Sequence, residues 1–173
     1  TMKAAAKRKL FLKHPVQPNI RVLQNIHFDE AELDYLWSLT KADGFARSDA
    51  DEFWNSFDHA DIFGSLIQVK GHLIAPLKSV VGASAAGDLL HSETLNKAAA
   101  VVVQAEYLSQ RHLLVVANPP YMGKKSMGAL LAEFAARVYP VSKADLYSMF
   151  IERCTTLSVP GGIVGMITMQ SWM

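Results

Sequence analysis

Cysteine, long apolar runs and ligand-spaced histidines are all scarce in this sequence, and each scarcity removes a class of protein. Cys154 is the only cysteine among 173 residues, so an intramolecular disulfide is impossible and a cysteine-rich zinc site is excluded. The six histidines are scattered without ligand spacing, so no metal enzyme is expected, although spacing alone leaves magnesium on Asp and Glu open. Apolar stretches such as Leu113 to Ala117 and Ile163 to Thr168 fall far short of the roughly 20 residues of a bilayer span. A soluble protein is the expectation. The opening Thr1-Met-Lys-Ala-Ala-Ala-Lys-Arg-Lys9 has basic residues but no apolar segment and cleavage site after it, so no secretory signal is read and a cytoplasmic location is expected. A net charge of +1 neither demands nor forbids a polyanionic partner.

Half of the chain is apolar, enough for one ordinary core within the usual size of a single domain. Strong helix formers over Met2 to Leu12 predict the end of a helix before His14-Pro15, with Lys3, Lys7, Arg8, Lys9 and Lys13 reading as a solvated face. Residues 19–24, which carry Ile20, Val22 and Leu23, predict a short buried strand followed by a polar turn. From Asp29 to about Arg111 the pattern is helical. Asp29 can cap a run in which Leu33, Leu36 and Trp37 share a face, and Phe53, Trp54 and Phe57 repeat that spacing. Further helices are predicted at Ile62 to Val69, Pro76 to Leu90 and Glu93 to Gln110, with the Gly82 to Gly87 stretch warning of a break.

At Leu113-Leu-Val-Val-Ala117 the texture changes to a continuous apolar run that suits a strand buried on both faces of a parallel sheet. Asn118-Pro119-Pro120 ends it, because proline cannot donate ladder hydrogen bonds. Two amphipathic helices follow, one with Met127, Leu130, Leu131, Phe134 and Val138 on a side, the other with Leu146, Phe150, Cys154 and Leu157. Ser142 and Asp145 suggest a capping-box-like start to the second. Pro160-Gly161-Gly162 predicts a turn into a further buried strand at about 162–168. Strand, helix and strand in that order imply a right-handed parallel crossover.

An open parallel sheet places ligands at the carboxyl ends of its strands, which is where Asn118 to Tyr121 falls. Two successive prolines stiffen the loop, so the Asn118 side-chain oxygen and the Pro119 carbonyl can converge on one donor group. An exocyclic amine offers two N–H donors to such a pair, and Tyr121 adds an aromatic face for a planar base or amide.

Asn118-Pro119-Pro120-Tyr121 resembles motif IV of the amino-methylating S-adenosylmethionine-dependent methyltransferases, whose Asn/Asp-Pro-Pro-Tyr/Phe loop binds the amine that accepts the methyl group. Three longer stretches extend the likeness: Val115-Val-Ala-Asn-Pro-Pro-Tyr-Met-Gly123, Ser142-Lys-Ala-Asp-Leu-Tyr-Ser-Met-Phe-Ile-Glu-Arg153 and Gly161-Gly-Ile-Val-Gly-Met-Ile-Thr-Met-Gln-Ser-Trp172. Together they look like the large adenine-specific methyltransferases of bacterial phage defence, the PglX type of BREX, and related single-chain restriction-modification enzymes. The match is close from about residue 113 onward and looser over residues 1–30. The resemblance implies an incomplete α/β Rossmann-like methyltransferase core, with residues 1–28 and 112–173 in the core and 29–111 as a helical insertion.

It further implies methyl transfer from S-adenosylmethionine to the N6 amine of a flipped-out adenine in double-stranded DNA, without a metal. Asn118, Pro119, Pro120 and Tyr121 would be the catalytic loop, with Asn118 also near the cofactor. Lys124 and Lys125 would meet DNA phosphates, or be plain solvated charges; Ser171 and Trp172 match a segment near the base pocket, or Trp172 is a core residue. Asp145 would touch substrate or cap a helix, and Cys154 reads as inert core. The resemblance also implies defence-system proteins as partners. One departure stands out: the Gly-rich cofactor turn of the family is not in these residues, which leaves Gln24 and Asn25 as candidates for the cofactor's adenine ring and suggests a fragment, inactive alone. Two rival readings are protein glutamine methylation, which uses the same tetrapeptide, and a non-catalytic nucleic-acid-binding or interaction module.

Overall fold

The computed structural model describes residues 17–40, 44–84 and 90–167. The predicted helix at Met2 to Leu12, Trp172, and much of the Gly82 to Gly87 stretch therefore lie outside the described residues, although Gly82 itself sits inside a helix. The described elements are α1 (Glu30–Thr40), α2 (Arg47–Trp54), a short α3 (Ala60–Phe63), α4 (Gly71–Ser84), α5 (Ser92–Ser109), β1 (His112–Ala117), α6 (Ala129–Val138), α7 (Leu146–Leu157) and β2 (Ser158–Met166). The fold is mixed α/β, with β1 and β2 paired in parallel.

Asp29 starts α1 as its sequence position predicts. Its Oδ1 accepts from the Glu32 N–H at 2.9 Å while Glu32 Oε2 accepts from the Asp29 N–H at 3.1 Å, a reciprocal box that satisfies two donors at the helix end. The aromatic spacing read over residues 53–57 proves to be core. Phe53, Trp54 and Phe57 are buried with Phe28, Leu36, Leu73, Leu77 and Val101 in a cluster beneath α4 and α5.

Helix limits move where tertiary contacts claim the backbone. The helix expected at Ile62 to Val69 stops at Phe63, because Gly64 takes a positive φ of 52° and the next carbonyls serve as acceptors elsewhere. Ser65 gives its carbonyl to Arg153, and Leu66 gives its own to the Tyr139 hydroxyl. In α4, Pro76 is not the first residue but lies inside the helix. Only one backbone bond is forgone there, and burial of Leu73, Ile74, Leu77 and Val81 carries the turn before it. The α5 bounds fall within one residue of the expected ones.

The strand expected at 19–24 does not form among the described residues. Ile20 and Val22 are 75% and 82% exposed, and no neighbouring strand offers them a ladder. Instead the Gln104 side chain, on the buried face of α5, accepts from the Gln24 N–H at 2.5 Å and donates to the Gln24 carbonyl at 3.3 Å. One carboxamide thus stands in for a peptide unit of a partner strand.

β1 occupies the predicted run but is not covered on both faces. The α7 helix packs across β1 and β2, while Leu113, Leu114 and Val116 remain exposed. The Pro160-Gly161-Gly162 turn is absorbed into β2 as a bulge: His112 pairs with Ser158 and Leu114 with Ile163, so two steps along β1 oppose five along β2. Gly161 takes φ 78° there. A Cβ on Gly162 would press on Ser158 Oγ and come within 3.0 Å of the Val159 carbonyl and 3.1 Å of the Leu113 carbonyl, so only glycine fits.

Helical segment and strand unit share packing. Leu66 is buried with Leu131, Phe134, Tyr139 and Met149, and the Phe63 and Phe134 rings stack at 4.0 Å. No described helix is long and apolar enough to cross a membrane.

Candidate functional site

The residues singled out in the sequence leave the carboxyl end of β1 and are anchored at both ends. On the strand side, the Ile167 N–H donates to the Ala117 carbonyl at 3.4 Å, keeping the ends of β1 and β2 together immediately before Asn118. Beyond Tyr121, the chain forms an antiparallel bridge between Gly123 and Asp145. There the Lys124 N–H donates to the Ala144 carbonyl at 2.8 Å, and the Leu146 N–H donates to the Met122 carbonyl at 2.9 Å. Pro119 is buried between these anchors, which with its fixed φ removes most of the loop's freedom.

Asn118 and Tyr121 are displayed rather than packed. Both are exposed, Tyr121 at 50%, and neither side chain bonds to protein among the described residues. An amide and a phenol ring held on a stiff loop without internal partners are available to a ligand: the amide oxygen accepts from an N–H, and the ring offers a stacking face.

Asp145 sits at the N-cap of α7 with extended backbone, yet its side chain makes no cap hydrogen bond. The expected capping box is therefore absent, since the Ser142 hydroxyl donates to Glu152 Oε2 at 2.6 Å instead. Asp145 turns toward the loop. A Cβ on Gly123 would lie 3.1 Å from its Oδ1, a tight contact that the carboxylate would have to relieve by turning away.

The remaining candidates are dispersed. Asn25 Oδ1 accepts from the Asp61 N–H at 2.9 Å at the start of α3, and the Gln24 backbone is held by Gln104. No hydrogen bond or shared core joins either residue to the loop among the described residues. Lys124 and Lys125 begin a 3-10 turn directly after the bridge and are exposed. Cys154 is buried, and burial pushes its thiol pKa up, which suits a core residue.

A cleft of about 630 Å³ lies elsewhere, lined by Phe53, Phe63 and Phe134 with Asp49, Glu52 and Glu133. It includes none of the loop residues. Its Lys70 is already taken, bonded to Asp49 at 2.6 Å and Glu52 at 2.8 Å, which raises the ammonium pKa.

Two buried groups escaped the sequence reading. Arg153 donates to the Ser65 and Leu108 carbonyls, and Tyr139 donates to the Leu66 carbonyl at 2.7 Å; together they tie the helical segment to the loop-bearing unit. The signal for Arg153 was present, since it falls in helical step with Leu146 and Met149 on the apolar side of α7.

The family model described as Eco57I restriction-modification methylase matches residues 2–173. The chain is 40% identical over 121 residues to the adenine-specific methyltransferase BrxX of Escherichia coli O9:H4 (strain HS), covering 68% of this chain and 10% of that protein. It is 46% identical over 66 residues to the adenine-specific methyltransferase PglX of Lacticaseibacillus casei (strain Zhang), covering 38% of this chain and 6% of that protein. It is also 37% identical over 97 residues to the type II methyltransferase M.PaeR7I of Pseudomonas aeruginosa, covering 49% of this chain and 17% of that protein. The chain thus spans about a tenth of the length of the curated relative BrxX.

Proposed function

The chain belongs to the Eco57I restriction-modification methylase family, and on that footing we propose that the protein carrying it methylates adenine N6 in double-stranded DNA, in restriction-modification or phage defence. The observation that carries this reading is the loop Asn118 to Tyr121, which is fastened at both ends while its amide and aromatic ring have no partner among the described residues. In that reading the strand unit is part of a Rossmann-like core in the bacterial cytoplasm, and residues 29–111 are a helical insertion in it.

The chemistry of this loop is orientation and charge stabilisation. Adenine inside a duplex is inaccessible, so it must be extruded, and stacking on Tyr121 compensates part of the lost base stacking. Asn118 Oδ1 and the Pro119 carbonyl accept the two N6 protons. As nitrogen attacks an electrophilic methyl carbon, positive charge develops on it, and two aligned acceptors favour that charge without reorganising at the moment of reaction. Burial of Pro119 and the bridge beyond Tyr121 limit loop motion, which holds the acceptors near attack geometry.

S-adenosylmethionine would supply the methyl group. Of the two candidates for contact with its ring, Asn25 already accepts from the Asp61 N–H through Oδ1, and Gln24 has its backbone held by Gln104 with its side chain exposed.

The test is methyl transfer from labelled S-adenosylmethionine by the full-length protein, with adenine-containing duplex and a glutamine-bearing protein offered in parallel. Label in N6-methyladenine is the expected result. Label in glutamine alone would replace the DNA reading with a protein-methylating one.

A further inference from the structure

Lysines in this protein divide into two sets that occupy different places in the fold. The described residues include Lys70, Lys78, Lys97, Lys124, Lys125 and Lys143. The first three, all on the helical side, are each ion-paired: Lys70 with Asp49 and Glu52, Lys78 with Glu106, and Lys97 with Glu32. The last three are exposed, and none pairs with a carboxylate among the described residues.

The fold gathers these three into one place. Lys124 and Lys125 follow the loop directly, while Lys143 belongs to the segment before α7. The hydrogen bond from the Lys124 N–H to the Ala144 carbonyl, at 2.8 Å, lays the two segments side by side, so Lys143 neighbours Lys124 despite its distance along the chain. Two carboxylates close by leave the lysines unpaired. Asp145 turns to Gly123, and Glu152 accepts the Ser142 hydroxyl.

We propose that Lys124, Lys125 and Lys143 form a single phosphate-binding patch that grips the DNA backbone beside the target-base loop, with Lys143 as the member invisible to the linear sequence. Surface lysines find carboxylates easily in this protein, so a cluster without them is a surface whose charge is left for an external polyanion. Phosphate contacts carry no sequence information but fix the position of the duplex. A clamp on the strand next to Asn118 and Tyr121 would set which nucleotide can swing into the loop. This inference rests on the DNA-methylating reading above.

The experiment is fluorescence anisotropy of a fluorescein-labelled, adenine-containing duplex with the full-length protein, titrated between about 50 and 200 mM KCl, the range over which phosphate contacts dominate affinity. The variants are Lys143→Gln, the Lys124→Gln/Lys125→Gln double and the triple, with Lys78→Gln as a charge-matched control. Lys143→Gln should lower the slope of log affinity against log salt by about 0.9, the loss of one phosphate contact, and weaken binding equally on unrelated sequences. The triple should lose roughly three times as much slope. Lys78→Gln should leave it unchanged. A wild-type slope in Lys143→Gln, with adenine methylation by the unmodified protein intact, overturns the patch and leaves the methyltransferase reading standing. If the unmodified protein neither binds the duplex nor methylates it, both fall.

Discussion

The guanidinium of Arg153 donates to the carbonyl oxygen of Leu108 at 2.8 Å in a buried setting where no carboxylate pairs with it among the described residues. A second bond, from Nε to the Ser65 carbonyl, is also 2.8 Å. Burial lowers the arginine pKa, but carbonyl dipoles from two separate segments keep the charge solvated. The residue therefore reports how firmly the end of α5 and the turn after α3 are held to α7, the helix whose start anchors the loop.

Arg153→Ala should destabilise the protein by about 2–4 kcal/mol, since it leaves the buried Leu108 carbonyl and the part-buried Ser65 carbonyl without this donor and opens a cavity between elements. Arg153→Lys should recover only part of this, because an ammonium lacks the planar fork that reaches both acceptors. Urea unfolding midpoints provide the measurement. An alanine variant as stable as the parent would mean that the two carbonyls find water instead.

Gly162→Ala should weaken the pairing of β1 with β2, because its Cβ would meet two backbone carbonyls that cannot swing aside. A loss of about 1–3 kcal/mol is expected. Gly165→Ala is the control, since nothing lies within 4 Å of a Cβ there. Hydrogen exchange at the Ala117 and Ile167 amides would follow the same order if the bulge sets the register.

Asn118→Ala should cut adenine methylation by roughly two to three orders of magnitude, as the loss of one positioned polar group at a developing charge commonly does. Tyr121→Ala should weaken capture of the flipped base by about 1–3 kcal/mol, whereas Tyr121→Phe should be mild because stacking survives. Single-turnover methylation and the fluorescence of 2-aminopurine at the target position separate the two effects. Near-parent rates in both alanine variants would remove the loop from the mechanism.

Glu32 links stability to acid. Burial raises its pKa, but hydrogen bonds from Lys97, the Asp29 amide and Thr94 outweigh that and hold the carboxyl below its usual 4.5. A depressed folded pKa means that this contribution is fully present above the unfolded value and is lost as pH falls through the folded one. Melting temperatures should therefore drop more steeply below pH 4.5 in the parent than in Glu32→Gln. Parallel curves would show that the Glu32–Lys97 pair is too solvated to matter.

Local chemistry explains which features were legible in the sequence. The Asp29 box, the α5 helix and the strand before Asn118 depend on residues close in the chain, and each lies where its pattern predicts. Several of the misses involve groups claimed from far away in the chain. Residues 19–24 have strand composition, yet a strand exists only with a ladder partner, and Gln104 supplies a lone amide in its place. The helix after Ile62 has the right periodicity but gives its carbonyls to Arg153 and Tyr139. Asp145 has capping chemistry, yet its side chain faces Gly123.

What the sequence determined by itself is the loop: Asn118-Pro119-Pro120-Tyr121 after an apolar strand specifies two acceptors and a ring on a stiff turn, because prolines restrict φ wherever they stand. What only the tertiary structure decided is how that loop is held and what stands beside it. The bridge from Gly123 to Asp145 and the arrival of Lys143 next to Lys124 join segments distant in sequence, and no periodicity encodes such a meeting. Hydrogen bonds between remote backbones are chosen by the packing of α6 and α7 as whole bodies, and that packing is a property of the folded chain.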